Sequence, residues 1–182
     1  AGIDEKTLVI FTSDNGAAVG SSLPLRGKKA SVYDGGIREP TVMRWPGLIP
    51  AGPKCTEVAA SIDILPTLAG LTGAALPKRK IDWLDIWPLM NGQKDARSPH
   101  KAYVLMHGPG AVRSGKWKFY PWKETKGRGR NAVTGRKLSP LPSQLYDTVA
   151  DIGETKNLAD QHPEVVTRLR AAHDAHLAEI EA

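Results

Sequence analysis

The most constraining feature of the sequence is a short apolar run that passes directly into a long irregular loop. Residues 7–12 read TLVIFT, and a β-branched apolar run of this length is typical of a parallel strand that is buried on both faces. Residues 13–36 are so rich in glycine and proline that no regular element is expected there. A buried strand whose carboxyl end leads into a long loop predicts an α/β fold with a functional loop at the sheet edge.

The remaining pattern predicts short elements that change character near residue 98. The polar sequence NGQKDARSP ends there, so we divide the chain into residues 1–98 and residues 99–182. The first part should carry a strand over 41–45, an amphipathic helix over 61–71 whose apolar face holds Ile62, Leu65, Leu68 and Ala69, and an apolar patch over 83–90. The second part should carry antiparallel strands at 102–106, 111–113, 117–120 and Leu145-Tyr146, closed by a helix over 163–180.

The composition excludes several classes of protein. Of 182 residues, 41% are hydrophobic and 24% are charged, as in a globular chain with a hydrophobic core. The single cysteine, Cys55, excludes an internal disulfide, and no Cys/His cluster has the spacing of a zinc site. No apolar stretch approaches the ~20 residues of a membrane span, so no membrane partner is expected.

The net charge of +6 is concentrated in one segment. Residues 123–137 contain six lysines and arginines against one acid, Glu124, so this segment accounts for most of the excess. Nucleic-acid binding normally combines such charge with stacking aromatics, and only Trp122 borders the segment. We therefore expect no nucleic-acid partner, although binding of another polyanion remains an alternative.

Two segments of the long loop carry groups suited to a metal and to an anion. Asp14 and Asn15 follow the predicted strand and offer two oxygen ligands for a hard cation such as Ca²⁺, but Asp-Asn-Gly is also a common turn. Residues 25–40 combine glycines with lysines and arginines, which suits close approach to a sulfate or phosphate. A lysine in a loop is more commonly just solvated, so neither segment alone identifies a function.

Taken together, the segments resemble the C-terminal half of the sulfatase family. The resemblance rests on segments that occur in the family's order: TLVIFTSDNG, LRGKKASVYDGGIREP, SIDILPTLAGLTG, AVRSGKWKFY and QLYDTVADIGETKNLAD. It implies the C-terminal part of an alkaline-phosphatase-like α/β sandwich, followed by a small antiparallel-sheet subdomain with a C-terminal helix. It also implies hydrolysis of sulfate esters with Ca²⁺ and a formylglycine nucleophile.

The resemblance assigns roles to individual residues. Asp14 and Asn15 resemble the family's second pair of Ca²⁺ ligands, and Lys29 resembles the lysine that contacts the sulfate. Lys29 is favoured over Lys28 because it stands four residues before the Tyr-acid-Gly-Gly step, but a swap of the two stays open. Arg38 is expected to tie the loop down, and His107 is expected to border the substrate pocket.

The chain lacks the catalytic residues that the family carries upstream. The formylglycine forms from the cysteine of a Cys-x-Pro-x-Arg motif, and Cys55 has neither the proline nor the arginine. The first acidic Ca²⁺ ligands and the acid–base histidines also lie upstream in the family. We therefore expect no catalytic residue here, a requirement for the N-terminal half, and no turnover by this chain alone.

Two other functions stay compatible with the residues. A phosphomonoester or phosphonate hydrolase of the same superfamily would use similar metal and anion chemistry, and a non-enzymatic module could bind polyanions through residues 123–137. Within the sulfatase reading the substrate is an aryl or carbohydrate sulfate, including sulfated glycans. The resemblance favours a secreted, periplasmic or lysosomal location.

Overall fold

The computed structural model describes residues 2–106, 110–121 and 142–180, and it divides the chain into two compact units. One unit comprises Ala1–Asp14 and Glu39–Lys101, and the other comprises Asn15–Arg38 and Ala102–Ala182. The break after Lys101 lies near the predicted boundary at residue 98, whereas the loop segment Asn15–Arg38 groups with the second unit. The assignment of residues 1–98 to a catalytic domain stays a prediction.

The described residues form short strands and mostly short helices. In chain order the elements are β1 (Val9–Phe11), α1 (Asp34–Ile37), β2 (Val42–Arg44), α2 (Ile64–Thr72), α3 (Trp87–Met90), β3 (Tyr103–Leu105), β4 (Ala111–Ser114), β5 (Trp117–Tyr120), β6 (Gln144–Asp147) and α4 (Pro163–Ile180). Both helices and sheets are present, as the α/β prediction requires. Among the described residues, none of the helices combines the length and the hydrophobicity of a membrane-spanning segment.

The first unit contains a two-stranded sheet that differs from the predicted one. β1 pairs with β2 in antiparallel register, with Ile10 opposite Met43, whereas we expected a parallel strand. Val9 and Phe11 are 49% and 74% exposed, so the prediction of burial on both faces is wrong for this structure. An apolar run shows that a strand can be buried. The direction of the strand that pairs with it, and the residues that pack on its faces, depend on other segments of the chain.

Helix α2 confirms the predicted helix and corrects its buried face. A 3₁₀ turn over Ser61–Asp63 precedes it, and Gly73 ends it in a left-handed conformation. Leu65, predicted on the apolar face, is 46% exposed. Thr67 is buried instead. Its hydroxyl can be buried because it donates to the Asp63 carbonyl and accepts the Ile86 N–H.

The second unit is built around the predicted antiparallel meander. The strands follow one another in the order β3-β4-β5-β6, and Phe119 lies opposite both Val112 and Leu145. Helix α4 has the predicted bounds, and its Val165 and Leu169 complete the core on this face. The other sheet face packs Ala111, Tyr120 and Tyr146 against Val32.

Candidate functional site

The segment after Asp14 and the loop that carries the lysines lie against each other. We call residues 25–38 the anion loop. The Gly16 N–H donates to the Gly36 carbonyl at 3.0 Å, and the Lys29 N–H donates to the Ala17 carbonyl at 3.3 Å. The backbone that follows Asn15 is therefore hydrogen-bonded to the backbone of Lys29. Two sequence-predicted site residues, Asn15 and Lys29, lie on adjoining segments of one unit.

Glycines make this close backbone approach possible. A Cβ atom at Gly16 would lie 1.9 Å from the Gly35 carbonyl oxygen, and one at Gly36 would lie 2.3 Å from the Ser31 carbonyl oxygen. Both distances are far inside van der Waals contact. Gly35 is equally restricted, because its Cβ would lie 2.5 Å from the Gly27 carbonyl oxygen. The Gly-Gly step thus serves packing of the loop on itself and on residues 15–17.

The two candidate lysines have different surroundings. Both are exposed, but the Lys28 ammonium donates to the Gly20 carbonyl. In the described part of the chain, no hydrogen bond or ion pair engages the Lys29 ammonium. The next residue, Ala30, has φ of +67°, a left-handed conformation that costs a non-glycine residue about 1 kcal/mol or more. These contacts favour Lys29 over Lys28 as the lysine that meets an anion, and its role stays a prediction.

The predicted metal ligands supply part of a coordination shell. Asp14 is exposed, and Asn15 is half-buried. A carboxylate and an amide oxygen suit a hard cation, but Ca²⁺ takes six to eight oxygen ligands. Across the described residues, no group of three His, Cys, Asp or Glu side chains is arranged to hold a metal. The donor chemistry therefore fits a Ca²⁺ site to which other ligands must contribute.

Two predicted features fall outside the described residues. His107 lies in the gap between residues 106 and 110, and the basic segment 123–137 lies between residues 121 and 142. Both stay predictions from the sequence. Cys55 is described, and it is a free, exposed thiol.

The start of the anion loop is held by Arg26. Its Nη1 donates to the Tyr146 hydroxyl at 3.1 Å and to the Glu154 carbonyl at 2.8 Å. Its guanidinium also stacks over the Tyr33 ring, 4.0 Å from the centroid. One arginine thus ties the loop both to strand β6 and to the turn that contains Glu154.

The end of the anion loop is held by a buried ionic cluster. The Asp34 carboxylate accepts a hydrogen bond from the Lys118 ammonium, and its other oxygen lies 3.8 Å from Arg113 Nη1. The Glu154 carboxylate accepts the Asp34 N–H at 2.7 Å and the Tyr120 hydroxyl. Lys118 and Glu154 are both fully buried. Arg38, expected to tie the loop down, lies 3.6 Å from Asp34 and contributes from the exposed side.

Burial shapes the acid–base behaviour of this cluster. Desolvation lowers the pKa of Lys118, and the Asp34 and Glu154 carboxylates act against that effect. Desolvation raises the pKa of Tyr120, and the neighbouring Glu154 charge raises it further. The phenol therefore stays protonated at physiological pH and keeps donating to Glu154.

None of the cluster residues Asp34, Lys118, Tyr120 and Glu154 is among the site residues predicted from the sequence, although strand β5 carries one signal for the cluster. Side chains alternate along a strand, so Lys118 in β5 shares a face with Tyr120 rather than with Phe119. Phe119 packs in one core cluster and Tyr120 in the other, so both faces of β5 are covered. A lysine in a strand that is covered on both faces requires buried acidic partners.

Comparison with known proteins identifies the family. The Sulfatase family model matches residues 1–74. Human arylsulfatase A is 38% identical over 194 aligned residues, which cover 93% of this chain and 37% of that protein. Dog N-acetylgalactosamine-6-sulfatase is 38% identical over 134 residues, which cover 68% of this chain and 25% of that protein.

A solved structure supports the same assignment. A Bacteroides thetaiotaomicron protein, described in connection with the metabolism of multiple glycosaminoglycans, superimposes with a TM-score of 0.75 at 28% identity. The match covers 93% of this chain and 38% of that one. The chain thus spans well under half the length of the proteins that it matches. Its fold is the predicted C-terminal part of an α/β sandwich with an antiparallel subdomain, and the chain belongs to the sulfatase family.

Proposed function

We propose that this chain is the sulfate-binding part of a sulfate-ester hydrolase whose nucleophile lies elsewhere in the protein. The observation that carries the proposal is the backbone pairing of residues 15–17 with the anion loop, through the Gly16–Gly36 and Lys29–Ala17 hydrogen bonds. This pairing brings the backbone that follows Asn15 close to the backbone of Lys29, which supports a site where a metal and an anion bind together. The membership of the sulfatase family supports the reaction class.

Each proposed site residue has a chemical role. Asp14 and Asn15 would hold Ca²⁺ through a carboxylate and an amide oxygen. A bound Ca²⁺ would supply positive charge next to the sulfate oxygens. Lys29 would donate hydrogen bonds from its ammonium to a sulfate oxygen and stabilise negative charge there. A formylglycine outside this chain would provide the nucleophile that none of the residues here replaces.

The substrate class proposed is an aryl or carbohydrate sulfate. The relatives include an arylsulfatase, an N-acetylgalactosamine-6-sulfatase and a protein tied by its description to glycosaminoglycan metabolism. The basic segment 123–137 is the part of this chain best suited by charge to a polyanionic glycan. We therefore include sulfated glycans among the substrates, with Lys29 and His107 as the proposed substrate-binding residues.

The alternatives lead to different outcomes in one set of assays. A phosphomonoester or phosphonate hydrolase would turn over a phosphate ester in preference to the matching sulfate ester. A polyanion-binding module would bind a sulfated oligosaccharide but hydrolyse neither ester. The membership of the sulfatase family favours the sulfate ester.

The direct test of the proposed function is the variant Lys29→Ala in the sulfatase that contains this chain. Because the sulfate group is common to every substrate, we expect kcat/KM to fall about 100-fold or more on both a small aryl sulfate and a sulfated oligosaccharide. Lys28→Ala is the matched control, since its ammonium is engaged by the Gly20 carbonyl. Unchanged kinetics in Lys29→Ala, or the loss in Lys28→Ala instead, would contradict the assignment.

A second variant separates the basic segment from the anion loop. Neutralising Arg128, Arg130 and Arg136 should raise KM for the sulfated oligosaccharide and leave the small aryl sulfate unaffected. The effect should fade with salt, because exposed charges are screened over about 10 Å at 0.1 M. If the KM for each substrate is the same in the triple variant as in the wild type, the segment has no role in substrate binding.

A further inference from the structure

Both ends of the segment that carries Lys29 are held by the same residue, Glu154. Its backbone carbonyl accepts a hydrogen bond from Arg26 Nη1 at 2.8 Å, and its carboxylate accepts the Asp34 N–H at 2.7 Å. Lys29 lies between these two positions in the chain. Glu154 therefore restrains the separation of the two ends of the segment and, with it, the position of the Lys29 backbone.

Glu154 is itself held in a strained and fully buried state. Its φ is +51°, in the left-handed region that non-glycine residues rarely adopt. Its carboxylate accepts the Tyr120 hydroxyl and lies 3.4 Å from the Lys118 ammonium. A conformation that costs free energy persists only where the surroundings over-determine it. Strand β5 provides those surroundings through Lys118 and Tyr120.

One ammonium bridges the two carboxylates of the cluster. Lys118 donates to Asp34 and lies beside Glu154, with no solvent exposure of its own. A buried ionic group of this kind is commonly no more stabilising than apolar residues of similar volume, because desolvation offsets the attraction between charges. Stability alone therefore gives a weak reason for a lysine at this position. A hydrogen bond to Asp34 and an ion pair with Glu154, which lie on separate chain segments, give a stronger reason.

We propose that Lys118 and Glu154 are positioning residues that hold the anion loop so that Lys29 meets the sulfate. Neither residue contacts the substrate; each acts through the loop ends at Arg26 and Asp34. The inference rests on the proposed function, because it assumes that Lys29 binds the sulfate group.

The test compares Lys118→Met and Tyr120→Phe in the sulfatase that contains this chain. Since a misplacement of about 1 Å can cost about 100-fold in rate, we expect Lys118→Met to lower kcat/KM on a small aryl sulfate at least about tenfold. The inhibition constant of inorganic sulfate should rise in parallel. Tyr120→Phe removes one hydrogen bond without leaving an unpaired charge, so it should fold and show a smaller loss in the same direction.

A double-mutant cycle separates positioning from a general loss of stability. If Lys118 acts through Lys29, the kcat/KM of the double variant Lys118→Met/Lys29→Ala should lie within about twofold of that of Lys29→Ala alone. The stability control is Leu169→Ala, a core truncation in α4 on the other sheet face. It should lower the melting temperature, but kcat/KM and the inhibition constant of sulfate should stay unchanged per folded molecule. Amide exchange at Lys29 and Gly35 should accelerate in Lys118→Met more than in this control.

The two proposals fail in different ways. If Lys29→Ala leaves kcat/KM and sulfate inhibition unchanged, the proposed function of Lys29 is wrong. If Lys29→Ala loses activity while Lys118→Met keeps it, or if the two losses multiply in the double variant, the positioning inference is wrong and the proposed function stands. A parallel loss in Leu169→Ala would also overturn the positioning inference.

Discussion

At the scale of single residues, buried polar groups are the most informative feature of this protein. Asp63 is fully buried in the first unit, and its carboxylate accepts the Ala60 and Leu84 N–H groups as well as a hydrogen bond with His100 Nε2. These bonds join the start of α2 to two distant chain segments. A carboxylate with several fixed donors specifies a local structure in a way that apolar contacts do not.

Acid stability should reveal the contribution of Glu57. The Ser98 N–H lowers the pKa of this carboxyl below its ordinary value of 4.5, and Arg97 adds a smaller effect. The contribution to stability is therefore fully present above pH 4.5 and is lost as the pH falls through the folded-state pKa. We expect Glu57→Gln to cost about 1 kcal/mol of unfolding free energy at pH 7 and a smaller amount near pH 3.

Urea unfolding of wild type and variant at both pH values measures this difference. Asp82→Asn, which alters an exposed carboxylate of the same unit, is the control and should match the wild type at both pH values. A Glu57→Gln deficit of equal size at pH 7 and pH 3 would contradict the assignment.

Metal affinity should depend on Asp14. In the sulfatase that contains this chain, Asp14→Ala should weaken Ca²⁺ binding and activity together, because a hard cation loses an anionic ligand. Asn15→Ala should act in the same direction but less, since the amide carries no charge. Calorimetry with Ca²⁺ decides, with Asp4→Ala as a control because Asp4 is paired with Arg44. Unchanged Ca²⁺ affinity in Asp14→Ala would show that Asp14-Asn15-Gly16 is only a turn.

At the scale of elements, helix α2 shows how its glycines differ. Gly70 lies within the helix, and a Cβ there would meet only Asp85 Oδ2 at 3.9 Å. Gly73 ends the helix with φ of +72°. The first position has room for alanine and gains from its helix propensity, whereas the second requires a conformation that alanine avoids.

Alanine substitutions at Gly70 and Gly73 should therefore change the unfolding free energy in opposite directions. We expect Gly70→Ala to raise the unfolding free energy by about 0.5–1 kcal/mol and Gly73→Ala to lower it by about 1 kcal/mol. Urea unfolding followed by circular dichroism measures both under one set of conditions, and each variant serves as the control for the other. Shifts of the same sign would show that space, rather than backbone conformation, governs these positions.

At the scale of the whole molecule, the chain carries the proposed binding residues but no Cys-x-Pro-x-Arg motif. Its only cysteine, Cys55, is an exposed thiol outside any Cys-x-Pro-x-Arg sequence. Positioning and charge lower a barrier, but a covalent sulfate intermediate needs a nucleophile. The chain also spans only 37% of human arylsulfatase A.

We therefore expect the purified chain of 182 residues to show no turnover of aryl sulfates, with or without Ca²⁺. Activity should appear only in a longer protein that carries the nucleophile motif, and replacing the motif cysteine with alanine there should abolish it. A colorimetric aryl sulfate assay on the three proteins is sufficient. Ca²⁺-dependent turnover by the isolated chain would contradict the prediction.

The sequence by itself determined the local elements and the family. Helical periodicity placed α4 at Pro163–Ile180, and short apolar runs between turns placed the strands of the meander, because these patterns depend only on neighbouring residues. Ordered motifs indicated membership of the sulfatase family, which the relatives confirm. The candidate residues Asp14, Asn15 and Lys29 came from the same motifs, since each stands at a defined spacing in them.

Only the tertiary structure decided how segments distant in the chain meet. The antiparallel pairing of β1 with β2 and the exposure of Leu65 depend on which segments lie opposite, which no local pattern encodes. The bridge from Lys118 to Asp34 and Glu154 joins residues that are 84 positions apart in one case. A buried charge must have partners, but the fold decides which residues they are, so the pairing of Lys118 with Asp34 and Glu154 is evident only when the chain is folded.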